Sequence, residues 1–147
     1  MSDPYTRKIV NKSFYHSKAD VHGKVIVVLD GRLENRNLRL INPISRAFPK
    51  GTIIELIGTN DADATPGSTV DAISYIGFVE ISNGGVLLTG DEVSWKNEIL
   101  GRIAGYDDTH MPNHQNTILT MQTRKSGREL GMQPGDEILI KGFDNNS

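Results

Sequence analysis

Two carboxylates, two histidines and two asparagines fall between Gly105 and Thr117, as Asp107, Asp108, His110, Asn113, His114 and Asn116. Half of the chain's four histidines are in this stretch. Groups that ligate, titrate or hydrogen-bond rarely reach such density in a connecting loop, and loops held by rigid scaffolds are where chemistry concentrates. His110 and His114 have the four-residue spacing that puts two zinc ligands on one helix face. Pro112 lies between them, however, and a proline costs a helix interior about 3 kcal/mol. The segment therefore reads as a loop. In a loop, Asp107 or Asp108 with His110 and His114 makes a two-histidine, one-carboxylate set suited to zinc, iron or manganese, with coordination positions left open. The same residues serve two other purposes. A histidine oriented by a carboxylate is a general acid or base, and Asp and Asn side chains stabilise turns by bonding nearby amides.

A second loop has a similar make-up. Asn60, Asp61 and Asp63 follow an apolar run and precede Pro66-Gly67. If both loops lie at one end of the fold, Asp61 or Asp63 completes a site with His110 and His114, and the metal set becomes His110, His114, Asp107 and Asp63. The spacing lacks the glycine and terminal glutamate of a calcium loop. His16 and His22 are reserve ligands. Arg32, Arg36, Arg39 and Arg46 carry the planar fork that recognises carboxylate or phosphate, although Arg39, alternating with Leu38 and Leu40, also reads as solvent-facing. No cysteine nucleophile, Gly-x-Ser-x-Gly elbow or phosphate-binding glycine loop is present.

The elements that must position these groups read as β throughout. Residues 24–29, 37–42, 52–57, 70–81, 86–88, 92–95, 99–104, 116–122 and 137–141 are apolar or alternating, β-branched and bounded by turn residues. Asn83-Gly84-Gly85 signals a hairpin, and Gly77 a bulge or bend. Short helical segments are expected at 3–17 and 124–130, the second stopped by Gly131. A glycine followed by small or acidic residues and a β-branched residue opens a strand at Gly51, Gly67, Gly90 and Gly135. Such repeated tight turns between short strands are the habit of a small barrel or sandwich. The expectation is all-β: one barrel-like domain over 1–147 of about eight or nine short strands with one or two short helical segments. Residues 1–20 read as a partly ordered N-terminal extension.

Composition narrows the function classes. With 147 residues the chain can bury one core without staples, and the absence of cysteine excludes disulfides, thiolate zinc and iron–sulfur clusters. A net charge of −2 and scattered aromatics argue against nucleic acid as a partner. No signal-peptide core and no membrane-length apolar run is seen, so a cytoplasmic location with no membrane partner is the expectation. Residues 1–50 hold ten Lys/Arg against four Asp/Glu, +6, and residues 51–147 six against fourteen, −8. Opposite blocks in one small domain pair with each other or form an anion-facing surface.

Leu130-Gly-Met-Gln-Pro-Gly-Asp-Glu-Ile-Leu139 resembles the leucine-glycine, proline-glycine-aspartate turn of PDZ domains and of swapped-hairpin and double-psi barrels. Thr89-Gly-Asp-Glu-Val93, Ile99-Leu-Gly-Arg-Ile-Ala-Gly-Tyr106, Asn113-His114 and Thr117-Ile-Leu119 resemble, over about a third of the chain, the barrel core of glucitol-type sugar phosphotransferase IIA proteins. That resemblance implies a barrel. It does not carry over phosphoryl transfer, because the family's histidine-rich segment has no counterpart here. The chain as a whole looks like a small uncharacterised bacterial or archaeal family. The leading functional expectation is a small-molecule-binding domain, metal-assisted in one form, using Asp107, Asp108, His110, Asn113, His114 and Asn116 with Asn60 and Asp61. The alternatives are an enzyme with His110 or His114 as acid, base or ligand, and a structural oligomerisation domain. A homo-oligomer is the base-rate expectation.

Overall fold

The computed structural model describes residues 19–142. The helix expected over 3–17, most of the 1–20 extension and His16 lie outside them. Twelve strands and one short helix follow in order: β1 (Val21–Val28), β2 (Arg32–Leu33), β3 (Leu38–Arg39), β4 (Ser45–Phe48), β5 (Ile53–Thr59), β6 (Thr69–Val70), β7 (Ile73–Ile81), β8 (Gly85–Leu88), β9 (Glu92–Trp95), β10 (Glu98–Asp107), β11 (Gln115–Thr120), α1 (Gly127–Leu130) and β12 (Glu137–Lys141). Seven of them close into a barrel in the order β1-β12-β9-β10-β11-β5-β7, with β7 returning to β1 and β2 extending along β7. Closure removes the exposed edges that an open sheet would present. Every neighbouring pair is antiparallel except β5–β11. No described helix is long and apolar enough to cross a membrane.

Alternation divides the apolar residues between two cores. All seven barrel strands contribute to the interior, including Val25, Ile54, Leu56, Val79, Val93, Tyr106, Leu119, Ile138 and Ile140. Burial pushes the Tyr106 phenol up, and its hydroxyl donates to the Leu87 carbonyl at 3.0 Å. A second core forms on the outer wall, where Leu38, Leu40 and Val70 cover Ile57, Ile73, Ala104 and Ile118. The short β3–β6 ribbon is therefore a lid on β5 and β11, which explains why β5 is buried along nearly its whole length. Each such side chain removed from water stabilises the fold by roughly 1.5–3 kcal/mol.

The repeated glycine device has a single geometry. Gly51, Gly67, Gly90 and Gly135 all adopt φ between 88° and 93°, a region that L side chains reach only with strain. The turns before β9 and β12 match bond for bond. Leu88 N–H donates to Asp91 Oδ2 and Gln133 N–H to Asp136 Oδ2, each at 2.9 Å. Gly90 N–H donates to the Ile103 carbonyl and Gly135 N–H to that of Val25, each at 2.7 Å. Asp136 also accepts from the Trp95 indole at 2.9 Å, so one turn locks onto the strand that the other turn opens.

The strands at 92–95 and 137–141 have the expected bounds. Elsewhere the chain differs from its sequence reading. The 70–81 region divides into β6 and β7, and β2 and β4 are additional. Asn83-Gly84-Gly85 does turn the chain, but β8 pairs with β4 instead of β7. The Asn83 side chain has another partner: it accepts from His22 N–H at 2.7 Å and donates to the Asp20 carbonyl at 3.0 Å, clamping the start of β1. The expected 124–130 helix is only Gly127–Leu130, because Ser126 stays extended as its N-cap and forms a reciprocal capping box with Glu129. Arg32 and the Ser126 amide hold the Glu129 carboxyl at about 2. Arg124 is drawn away to Glu34 and to the Leu33 and Ile73 carbonyls. Of the ion pairs that link the two blocks, Arg32–Glu129 joins an N-terminal base to a C-terminal acid. Arg124–Glu34 and Arg128–Asp30 run in the opposite sense, so these pairs do not by themselves account for the charge asymmetry.

Two glycine substitutions separate close approach from turn strain. Beside the irregular pairing of β7 with both neighbours, a Cβ on Gly77 would stand 2.5 Å from the Val27 carbonyl oxygen. Gly77→Ala should cost about 3 kcal/mol in urea unfolding. Gly135 has open space around it, and Gly135→Ala should cost only the left-handed backbone strain, about 1–2 kcal/mol. Equal losses at the two positions would contradict the close β1–β7 approach.

Candidate functional site

Parallel pairing of β11 with β5 brings the histidine loop over the start of β5. The register aligns Asp107 with Asn116, Asn116 with Glu55, and Glu55 with Phe78, a row across four strands. The row continues the outer face on which Ile118 and Ile57 lie. Glu55 and Asn116 are 6% and 1% exposed, so the wall carries a buried carboxyl and a buried amide where an apolar pair would pack without cost.

The loop before β11 is held from both ends. Asp107 Oδ1 accepts from Thr109 N–H at 2.9 Å and from Asn116 Nδ2 at 3.1 Å. Asp108 Oδ1 accepts from Gln115 Nε2. Between them the backbone turns, with Asn113 N–H donating to the His110 carbonyl at 2.9 Å. This fold-back places the His110 ring against that of His114, centroids 5.0 Å apart and tilted by 30°. The other side of His114 meets Phe78 edge-on at 4.9 Å.

His114 Nε2 lies 3.0 Å from Glu55 Oε1, with side-chain exposures of 11% and 8%. Burial raises the Glu55 pKa above its ordinary range, and the charges of His114, His110 and Arg36 oppose that rise. When Glu55 is ionised, Nε2–H donates to it. Nδ1 then accepts from Asn113 Nδ2 at 3.2 Å, a tautomer fixed by the partners on each side. Asn113 is exposed, so a ligand that displaces its amide reaches Nδ1.

Of the residues expected from sequence, Asp107, Asp108, His110, Asn113, His114 and Asn116 form one neighbourhood. Asn60, Asp61 and Asp63 do not join it. Gln115 pairs with Ile54 and Thr120 with Thr59, five steps further along both strands, so the loop after β5 lies about 17 Å away at the opposite end. There Asp61 accepts from Asp63 N–H in a local turn, and Asn60 borders an open groove of about 840 Å3 with Arg102 and Met121. His22 is exposed on β1. Among the described residues no three His, Asp or Glu side chains are grouped to hold a metal ion. Asp107 Oδ1 is engaged by two donors, and His114 Nε2 faces Glu55.

Sequence reasoning missed Glu55. Its signal was a lone carboxyl inside the apolar run Ile53-Ile-Glu-Leu-Ile57, where a strand buried on both faces does not tolerate a charge without a partner. Three buried acceptors at the start of β11 have no donor among the described residues: Gln115 Oε1, Asn116 Oδ1 and Thr117 Oγ1.

Residues 15–141 match the model of a family described as a family of unknown function, DUF6917. No curated protein and no solved structure matches the chain. The family match fits the expectation of an uncharacterised family and says nothing of glucitol-type phosphotransferases.

The raised Glu55 pKa predicts a pH-dependent stability. A carboxyl that holds its proton more tightly in the folded state stabilises fully below its unfolded value, about 4.3 for glutamate. That contribution is lost as pH rises through the higher folded value. In urea titrations across this interval, the wild type should lose stability relative to Glu55→Gln, which cannot titrate. Parallel pH profiles for the two proteins would show that Glu55 does not titrate differently on folding.

Proposed function

Because the chain belongs to DUF6917, a family of unknown function, its chemistry has to come from its own geometry, and we propose that it binds a small polar molecule at the His114–Glu55 pair, where β5, β7 and β11 meet the histidine loop. The observation that carries this reading is a carboxyl buried in the barrel wall with an imidazole as its partner. Stability alone does not favour such a pair, since well-packed apolar residues of similar volume do as well or better. A titratable group perturbed by burial and aimed at one specific partner is the physical mark of a working site. In this reading Asp107 and Asn116 hold the loop, Phe78 and His110 flank the ring, and Asn113 is the group that a ligand displaces.

The Nε2–Glu55 contact also favours an enzymatic reading. A carboxylate on one imidazole nitrogen sets the tautomer and leaves the other nitrogen as a general base, here Nδ1. A metal-assisted form would rest on His110 and His114 and would need a carboxylate to move toward them, since no three His, Asp or Glu side chains are grouped for a metal among the described residues. The metal would supply a Lewis acid.

Thermal denaturation against a panel of small polar molecules tests the binding reading. A binder should raise the midpoint of the wild type. His114→Gln, which retains a donor for Glu55 but no titratable ring, should lose that rise. If His114→Gln shifts basal stability yet responds to every binder as the wild type does, His114 is architecture. Elemental analysis of chelator-free protein beside His110→Ala/His114→Ala tests the metal form. Near-stoichiometric zinc, iron or manganese that disappears in the double variant supports it, and equal metal in both samples refutes it.

A further inference from the structure

Arg36 stands out among the arginines of the outer wall. Arg32, Arg102, Arg124 and Arg128 each pair with a carboxylate. Arg36, like Arg46 on β4, is half-buried and has no carboxylate ion pair among the described residues; of the two, Arg36 is the one whose charge bears on Glu55. Its position is well fixed. Its N–H donates to the Asp71 carbonyl at 3.0 Å, and the next amide, that of Asn37, donates to Asp71 Oδ1 at 3.0 Å. Asn37 then turns the chain through φ 56°, which drops Leu38 into the second core against Ile57. Ile57 is two residues beyond Glu55 on β5, so the lid segment delivers Arg36 to the wall that carries the His114–Glu55 pair. The positive charge of Arg36 is felt at Glu55.

A half-buried guanidinium without a counter-ion has lost hydration and gained little in return. Its planar fork is preorganised for a bidentate oxyanion. Among the described residues no hydrogen bond or ion pair joins Arg36 to Glu55, whose Oε1 faces His114. We propose that Arg36 is the specificity residue of the site and that the ligand bears an oxyanion, a carboxylate or a phosphate, bound by Arg36 while its neighbouring polar atoms meet His114. The proposal rests on the reading of His114–Glu55 as a binding site and adds the class of ligand. It also assigns a partner to a charge that has no ion pair among the described residues.

The test is NMR of the His110 and His114 imidazole resonances in the full chain, titrated separately with inorganic phosphate, acetate and neutral acetamide. Phosphate or acetate should move the His114 resonances saturably, and whichever binds more tightly identifies the oxyanion. Arg36→Gln should weaken that binding by about tenfold or more, and Arg36→Lys should recover only part of it, because an ammonium cannot make the bidentate contact. Arg39→Gln, at an exposed neighbouring position, should bind like the wild type. If acetamide moves His114 while neither anion does, or if Arg36→Gln binds the anions unchanged, the oxyanion assignment is overturned and the binding site stands. If no probe moves His114 at any concentration, the oxyanion assignment and the binding reading fall together.

Discussion

A closed ring of seven strands cannot alternate direction all the way round; at least one neighbouring pair must be parallel. Here that pair is β5 with β11, and the placement of the candidate site follows from it. Two parallel strands begin at the same end, so the loop that leads into β11 meets the first residues of β5. Glu55 and His114, 59 residues apart in sequence, come within 3.0 Å for this reason. The same constraint sends the loop that leaves β5 to the far end, which separates Asp61 and Asp63 from the histidines. Parallel neighbours also need a long crossover. The chain between β5 and β11 supplies one, and on the way it builds β7, β9 and β10 of the barrel.

The parallel pair is also the most deeply covered part of the wall. The segment from Arg36 to Leu40 and the β6 strand lie over it, and Leu40 packs directly on Gly105, where a Cβ would stand 3.1 Å from Leu40 Cδ1. That covering excludes water from the outer face of β5. Glu55 lies further along that face, under the histidine loop; without that cover its bond to His114 would be an exposed ion pair of little value. With it, desolvation raises the cost of the charged carboxyl, and His114, His110 and Arg36 each bear on its protonation.

Local chemistry was legible in the residues, and long-range partnership was not. The strands at 92–95 and 137–141 could be read to the residue because their alternation and their Gly-Asp-Glu openings act within a few positions. The strand-opening glycines at 51, 67, 90 and 135, all with positive φ, were legible for the same reason. The hairpin signal at Asn83-Gly84-Gly85 was sound as a turn and misleading as a pairing, since a turn fixes where the chain reverses and not which strand comes to lie beside it. β4 supplied the partner for β8. The loop 105–117 announced itself by its density of polar side chains. Glu55 did not, because a single carboxyl in an apolar strand acquires meaning only when the opposite strand is known.

The opening of β11 is where the demands of folding and of chemistry diverge most. Gln115, Asn116 and Thr117 are all buried, and alternation sends Asn116 to the outer wall beside Glu55 and the other two toward the interior beside Ile54 and Leu56. A strand selected for stability alone would carry apolar residues on both faces here, as Ile118 and Leu119 do immediately afterwards. Instead, each of the three keeps a buried polar oxygen with no hydrogen-bond partner among the described residues, and each such atom costs about 1–3 kcal/mol. Gln115 and Asn116 reach back to Asp108 and Asp107, so part of the cost goes to fixing the loop that positions His114. After Thr117 the strand turns apolar at Ile118 and Leu119 and ends on the half-buried Thr120. Departures from the local rules of a buried strand are expected at functional or strained positions, which is consistent with the proposed site. The polar run at the opening of β11 lies at the end of the barrel where His114 and Glu55 meet, the end proposed above as the site.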